Sequence, residues 1–135
     1  MSTPLRVLIA DDSKPIADML TELLSDRGRV EVVGVGDSEH AVMTAIRELK
    51  PHVVVLDLQL AEGSGTEVIR AVRADAALRA TRLLVTSNHV SPPMRTGCLE
   101  LGADSFFDKV KELDALARRI GELADERLAK PPAPR

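Results

Sequence analysis

The sequence predicts an α/β fold in which five strand–helix units form one parallel sheet covered by helices. Apolar runs alternate with amphipathic helical patterns along the whole chain. The predicted strands begin near residues 5, 30, 53, 82 and 104, which is the spacing of a strand plus a crossover helix. The run from Val53 to Leu56 is apolar throughout, as expected of a strand buried on both faces.

Each predicted strand is a short run rich in apolar residues and bounded by polar residues or turn residues. Runs of this length are typical of strands in a doubly wound sheet. In chain order they cover Leu5–Ala10, Val30–Val35, Val53–Leu56, Arg82–Thr86 and Asp104–Phe107.

Each predicted helix carries apolar residues at helical spacing and begins near a capping residue. The predicted starts are Ser13 with Pro15 in the first turn, Asp37 or Ser38, Ser64 with Glu67 as a capping box, and Pro92-Pro93. The predicted ends of the first, second and fourth helices are Gly28, Pro51 and Gly102. The last helix runs from Leu113 to Leu128 and contains Gly121.

Composition narrows the classes of protein. The chain has 135 residues, a formal net charge of −3 and no Trp or Tyr, which disfavours direct nucleic-acid binding. Its single cysteine excludes an intrachain disulfide framework. The apolar runs are too short to cross a membrane and the N-terminus lacks a signal-peptide pattern, so we expect a cytoplasmic protein without a membrane partner. We assign residues 1–129 to one domain and the Pro-rich residues 130–135 to a tail.

Residues with reactive side chains follow four of the predicted strands. Asp11 and Asp12 follow the first strand, Asp57 the third, Thr86 ends the fourth, and Lys109 follows the fifth. In a doubly wound sheet, ligands bind beyond the carboxyl ends of the strands. The sequence therefore brings three carboxylates, a hydroxyl and an ammonium to one edge of the sheet.

Three neighbouring carboxylates repel one another, so either one is protonated or a cation lies among them. A set of carboxylate oxygens with open positions for water or phosphate suits Mg²⁺ better than zinc. A carboxylate beside Mg²⁺ and a lysine can attack phosphorus and form an aspartyl phosphate. The lysine and the hydroxyl would then bind the phosphoryl oxygens.

At these residues the chain resembles the response-regulator receiver domains of two-component signalling. The resemblance extends from about Leu5 to Leu128 and implies a flavodoxin-like sheet of order 2-1-3-4-5. It is carried by four segments in the family's order, which are Val7-Leu8-Ile9-Ala10-Asp11-Asp12-Ser13, Val54-Val55-Leu56-Asp57-Leu58, Leu84-Val85-Thr86-Ser87 and Gly102-Ala103-Asp104-Ser105-Phe106-Phe107-Asp108-Lys109.

The resemblance implies a role for each matching residue. Asp57 resembles the phospho-acceptor, Thr86 the switch hydroxyl, Lys109 the phosphate-pairing lysine and Phe106 the aromatic switch residue. The implied cofactor is Mg²⁺, and its implied protein ligands are Asp12, Asp57, the backbone carbonyl of Gln59 and, through water, Asp11.

Gln59 and Asn88 are each two residues past a site residue, and both are placed to flank the water that would hydrolyse the acyl phosphate. Neither is a carboxylate or another strong base, so we expect slow to moderate self-dephosphorylation.

The resemblance also implies partners. We expect a histidine kinase or histidine phosphotransfer protein to phosphorylate the chain, and an unidentified protein to read the changed surface of helix 4, strand 5 and helix 5. The expected form is a stand-alone monomer or weak dimer that is a signalling domain rather than an enzyme.

Two positions depart from the family's pattern. Val110 follows the lysine where the family usually has proline, and Ala61 stands where it often has proline, four residues after the acceptor. A cis peptide bond without proline costs about 2.5–4 kcal/mol, so we predict a trans Lys109–Val110 bond and a changed path for the loop that follows.

Four other functions are compatible with parts of this sequence. A flavodoxin would need a phosphate loop that Asp11 and Asp12 would repel, and an aspartate-nucleophile phosphatase would need a carboxylate where Gln59 stands. The chain could be the receiver half of a DNA-binding regulator, although nothing after Leu128 can form a helix-turn-helix. A scaffold that is never phosphorylated is disfavoured by the complete acidic set.

Overall fold

A five-stranded parallel sheet forms the centre of the computed structural model, which describes residues 3–129. The strands are β1 (Leu5–Ala10), β2 (Val30–Gly36), β3 (Val53–Asp57), β4 (Arg82–Ser87) and β5 (Ser105–Asp108). The helices are α1 (Lys14–Leu24), α2 (Glu39–Leu49), α3 (Gly65–Ala74), α4 (Pro92–Leu101) and α5 (Leu113–Ala129). The strand order is β2-β1-β3-β4-β5, which confirms the predicted fold class and order. The predicted tail, residues 130–135, lies outside the described residues.

Helices cover both faces of the sheet. One core cluster joins the strands to α2, α3 and α4, and the other joins them to α1 and α5. β3 contributes to both, because Val54 and Leu56 lie in the first cluster while Val53 and Val55 lie in the second. This central strand is therefore buried on both faces, as predicted. No helix within residues 3–129 has the length and apolar character needed to cross a bilayer.

Serine caps start four of the helices. The hydroxyl oxygens of Ser13, Ser38, Ser64 and Ser91 each accept the backbone N–H three residues further on. Such a cap contributes about 1 kcal/mol. The predicted capping box at α3 is only half formed, because the Ser64 N–H donates to Oε1 of Glu39 rather than to Glu67.

Four strands, β2 to β5, and helix α5 each end one residue later than predicted. Two further boundaries also differ. α1 ends at Leu24 rather than near Gly28, because Ser25 is extended, with ψ of 132°, and the chain then turns back into β2. The N–H and the hydroxyl of Ser25 both bond to the Thr21 carbonyl and cap this end. β5 begins one residue later than predicted, at Ser105, because the Asp104 carboxylate accepts the Leu83 N–H of β4 in place of a backbone carbonyl; the same carboxylate pairs with Arg73.

A short 3₁₀ turn, Ala76–Leu78, was not predicted from the sequence. It follows α3 and is capped by Asp75, whose carboxylate accepts the Ala77 N–H.

His52 ties three strands together at the amino end of the sheet. Its Nδ1 accepts the Arg6 N–H at 2.9 Å, and its own N–H and carbonyl bond to Arg6 and Arg82. Burial lowers the pKa of His52, and the positive charges of Arg127 and Arg6 lower it further. The neutral ring is therefore part of the fold.

We predict that His52 makes the stability depend on pH. Its pKa is lower in the folded than in the unfolded state, so the unfolded state takes up more protons and the free energy of unfolding falls as pH drops below about 6.5. Urea unfolding at pH 7.5 and 5.5 measures this. The loss should be smaller in His52→Asn, which keeps an acceptor but does not titrate, and unchanged in the exposed His40→Asn. Equal losses in all three proteins would contradict the assignment.

Gly121 offers a second test of the fold. It lies in the middle of α5, and a Cβ built there meets nothing within 4 Å. Gly121→Ala should therefore raise the free energy of unfolding by about 0.5–1 kcal/mol in urea unfolding. Gly102→Ala is the matched contrast and should destabilise the fold, because φ is +121° there and the new Cβ would lie 2.5 Å from Arg73 Cγ.

Candidate functional site

The period-two alternation of strands places four predicted site residues on the same face at the carboxyl edge of the sheet. Each lies two positions after a side chain of the core cluster shared with α1 and α5. The pairs are Ile9 and Asp11, Val55 and Asp57, Leu84 and Thr86, and Phe107 and Lys109.

Lys109 binds two carboxylates at once. Its Nζ lies 2.7 Å from Oδ2 of Asp11 and 2.9 Å from Oδ2 of Asp57. The Lys109 side chain is 7% exposed, and those of Asp11 and Asp57 are 1% and 5% exposed. The second oxygen of each carboxylate accepts a backbone N–H, from Ser13 and from Gln59 respectively. The acidic pair is thus held by one cation and two backbone donors.

Burial sets the electrostatics of this contact. It raises the pKa of Asp57, and the repulsion of Asp11 adds to it, against the hydrogen bonds from Lys109 and Gln59. Burial opposes the charge of Lys109 as well, but its hydrogen bonds to the two carboxylates outweigh burial and raise the pKa of Lys109. The ammonium is therefore firmly protonated, while ionising Asp57 carries a free-energy cost.

The acidic residues could hold a hard cation. Ligand oxygens of Asp11, Asp12 and Asp57 lie within 4.8 Å of one another, and Asp12 is the exposed member. Each carboxylate oxygen has two lone pairs, so the hydrogen bonds already made leave coordination capacity. One ammonium does not neutralise three carboxylates, and an all-oxygen donor set is that of Mg²⁺.

The buried hydroxyl of Thr86 favours an anionic ligand beside Lys109. The Thr86 hydroxyl oxygen is buried and has no hydrogen-bond partner among the described residues. Thr86 is paired with Asp57 in the register of β3 and β4. A buried hydroxyl without a partner costs about 1–3 kcal/mol, a cost that a phosphoryl oxygen beside Asp57 would offset.

Phe106 lies inward, 4% exposed, in the core beneath α4. The guanidinium of Arg95 on α4 lies 5.3 Å from the centre of its ring and donates to the Phe106 carbonyl at 3.0 Å. Arg95 also pairs with Glu112, whose carboxylate accepts the Asp108 N–H. These hydrogen bonds lower the pKa of Glu112. One arginine thus joins α4, β5 and the start of α5.

The two residues predicted to control dephosphorylation lie on different loops. Gln59 is exposed and its N–H bonds to Oδ1 of Asp57 at 3.0 Å. Asn88 is exposed in a surface pocket of about 520 Å³ between the β4–α4 and β5–α5 loops, together with His89, Met94 and Val110. Within residues 3–129, no hydrogen bond or salt bridge joins Asn88 to Lys109 or Asp57.

The Lys109–Val110 peptide is trans, as predicted, since no peptide bond within residues 3–129 is cis. The Val110 N–H donates to Oδ1 of Asp108 at 2.7 Å, and the Lys111 N–H donates to the same oxygen. A proline at position 110 could not make the first of these bonds.

Two residues that support the site were not singled out from the sequence. A Cβ at Gly65 would lie 2.6 Å from the Asp57 carbonyl oxygen, so only glycine lets α3 start this close to the end of β3. Buried Ser87 exchanges hydrogen bonds with the backbone of His89 and shapes the β4–α4 loop. A glycine at the first position of a helix is the one sequence signal that could have indicated such a close approach.

Comparison with known proteins gives one family. The family model of the response regulator receiver domain matches residues 7–121. Over 131 residues the chain is 34% identical to a protein-glutamate methylesterase/protein-glutamine glutaminase 2 of Koribacter versatilis, covering 96% of this chain and 35% of that relative. It is 35% identical over 115 residues to the DNA-binding response regulator MtrA of Mycobacterium tuberculosis, covering 85% of this chain and 48% of MtrA. The chain thus spans half or less of these relatives.

Solved structures agree with this result. The signal receiver domain of the response regulator NarL from Mycobacterium tuberculosis superposes with a TM-score of 0.80 at 28% identity, over 93% of this chain and 99% of that one. The response regulator domain of Thermotoga maritima CheB gives a TM-score of 0.77 at 22% identity, over 96% and 99% of the two chains, which shows the fold alone.

The raised pKa of Asp57 predicts that its charge destabilises the metal-free protein. The folded-state pKa lies above the unfolded one, so the cost is absent below the unfolded pKa, near 3.9, and grows as pH rises above it. In EDTA at pH 7, Asp57→Asn should therefore unfold at a higher urea concentration than the wild type, with the difference vanishing towards pH 4. The exposed Asp12→Asn should change less. An Asp57→Asn protein less stable than the wild type at pH 7 would contradict this prediction.

Proposed function

The chain belongs to the family of response regulator receiver domains, the signalling modules that histidine kinases phosphorylate in two-component systems, and from this premise we propose that Asp57 is its phospho-acceptor. The observation that carries the proposal is the buried Asp57 carboxylate bonded to Lys109, with the unpartnered Thr86 hydroxyl on the adjacent strand.

The proposed reaction is a transfer of one phosphoryl group. A carboxylate oxygen of Asp57 forms a bond to phosphorus while the bond from phosphorus to the donor's imidazole nitrogen breaks. The electron pair of that bond stays on the nitrogen, which then takes up a proton. Lys109 and Thr86 bind the phosphoryl oxygens, Lys109 as a positive charge and Thr86 as a hydroxyl donor.

The proposed cofactor is Mg²⁺, held by Asp12, Asp57 and the backbone carbonyl of Gln59, with Asp11 bound through water. When bound, the ion neutralises negative charge on the carboxylates and on the transferred group. Support for the site comes from the clustered carboxylate oxygens and from the excess of negative over positive side chains.

The proposed switch begins at Thr86. A phosphoryl group that recruits this hydroxyl draws it towards Asp57 on β3 and away from β5. Phe106 and the α4–β5–α5 surface then shift between two pre-existing states, since a ligand can only favour the state that it binds better. A downstream protein that contacts this surface reads the difference.

Self-dephosphorylation of the acyl phosphate is proposed to be slow to moderate, with Gln59 and Asn88 flanking the path of the water. Neither side chain is a strong general base. The exposure of both residues supports their proposed place beside this path, because water can approach each of them without a change in the fold.

A second candidate is the receiver portion of a larger regulator. One observation favours it, namely that relatives about 35% identical are two to three times as long as the matched segment. An immunoblot of the protein in its native cells distinguishes a chain of 14.6 kDa from a longer one.

We predict that the protein gains the mass of one phosphate when incubated with Mg²⁺ and a small phosphodonor such as acetyl phosphate. Asp57→Asn should abolish the gain, because the amide is not a nucleophile, and EDTA should suppress it. Asp104→Asn is the matched control, since that carboxylate lies at the opposite edge of the sheet and should leave the gain intact. Intact-protein mass spectrometry measures all four samples, and normal labelling of Asp57→Asn would refute the proposal.

A further inference from the structure

The loop between β3 and α3 is tied to the start of α2 by hydrogen bonds that the sequence did not indicate. Two join backbone groups and one uses a carboxylate. They run from the Ala61 N–H to the Asp37 carbonyl at 2.9 Å, from the Glu39 N–H to the Glu62 carbonyl at 2.9 Å, and from the Ser64 N–H to Oε1 of Glu39 at 3.2 Å.

This loop also carries part of the phosphorylation site. Gln59 donates its N–H to Asp57, and Gln59 and Ser64 face each other as an antiparallel bridge across the base of the loop. Glu39 therefore holds Ser64, and Ser64 pairs across the loop with Gln59, whose carbonyl is the proposed metal ligand. A displacement of Ser64 would be passed to Gln59 through this pairing.

The Glu39 side chain is fitted closely against the loop backbone. Gly63 has φ of +80°, and a Cβ built on it would lie 2.4 Å from Oε1 of Glu39 and 2.5 Å from its Cβ. Only glycine combines this backbone conformation with this approach. Glu39 thus acts as a wall for the loop as well as a hydrogen-bond acceptor.

The contact explains how the loop is fixed without the family's proline. Ala61 stands at the proline position, and its N–H makes the bond to Asp37. Proline has no N–H and could not make it. The loop is therefore held by hydrogen bonds to the start of α2, whereas a proline would restrict the backbone dihedral of the loop itself.

We propose that Glu39 is a positioning residue for the magnesium site, because its carboxylate holds Ser64 and through it the Gln59 carbonyl in place for the ion. The inference rests on the proposed Mg²⁺-dependent phosphorylation of Asp57. Glu39 itself contacts neither the ion nor the phosphoryl group. It acts on a backbone carbonyl, which cannot adjust its position by rotation of a side chain and therefore depends on the path of the loop.

The test is a Mg²⁺ titration of the full chain, monitored by backbone amide NMR. The variants separate the effect of the Glu39 hydrogen bond from the effect of its charge. Glu39→Ala should weaken Mg²⁺ binding about tenfold, the lower end of the loss caused by removing a group that orients a metal ligand. Glu39→Gln keeps an oxygen acceptor for Ser64 and should bind within about twofold of the wild type. Glu48→Ala, on the exposed side of the same helix, removes an equal charge and should also stay near the wild type.

Glu39→Asp is a second variant, which keeps the charge but draws the carboxylate back from Ser64, and it should weaken Mg²⁺ binding in the same direction. Unfolding curves in EDTA verify that each variant is folded. A wild-type affinity in both Glu39→Ala and Glu39→Asp overturns the inference, as does an equal loss in Glu39→Gln and Glu39→Ala, which would assign the effect to charge. A wild-type protein that binds no Mg²⁺ would instead refute the proposed function beneath it.

Discussion

The buried contact of Lys109 with Asp11 and Asp57 is the interaction on which the site depends. Asp11 follows β1, Asp57 ends β3 and Lys109 follows β5, so β4 lies between the lysine and its nearer partner. With strands about 4.8 Å apart, the contact forms only when four strands are in their correct order and register. The same contact brings two carboxylates out of water, which costs free energy unless a cation and backbone donors compensate. The fold thus supplies the energy that keeps a reactive carboxylate buried.

Much of the site could be predicted because its residues lie where apolar runs stop. A strand buried on both faces must end at its first charged residue, so Asp57 marked both the boundary and the edge at which ligands bind. Thr86 and Lys109 were found by their positions at the ends of the fourth and fifth predicted strands. The contrast between Asp11 and Asp12 was harder, since adjacent carboxylates look alike in sequence; alternation along β1 decides it, putting Asp11 inside and leaving Asp12 exposed.

What could not be predicted are contacts between ordinary polar residues far apart in the chain. Glu39 lies 25 positions before Ser64, and Arg95 lies 17 before Glu112. Nothing in their residue types separates them from other surface charges, and helical periodicity does not specify which loop a carboxylate will meet. The end of α1 was misplaced for a related reason: Ser25 is extended, with its N–H and hydroxyl both bonded to the Thr21 carbonyl, and the helix stops before the glycine that was expected to end it.

The two positions without proline share one explanation. Ala61 and Val110 each use their N–H as a donor, to the Asp37 carbonyl and the Asp108 carboxylate. At both positions, hydrogen bonds to neighbouring groups restrain the backbone where a proline ring would restrict it. Phe106 has no side-chain hydroxyl, so its ring is held by burial and by the guanidinium of Arg95. Any state that moves this ring into water exposes apolar surface alone and so carries a positive heat-capacity change. The free-energy difference between an inward and an outward ring therefore varies with temperature.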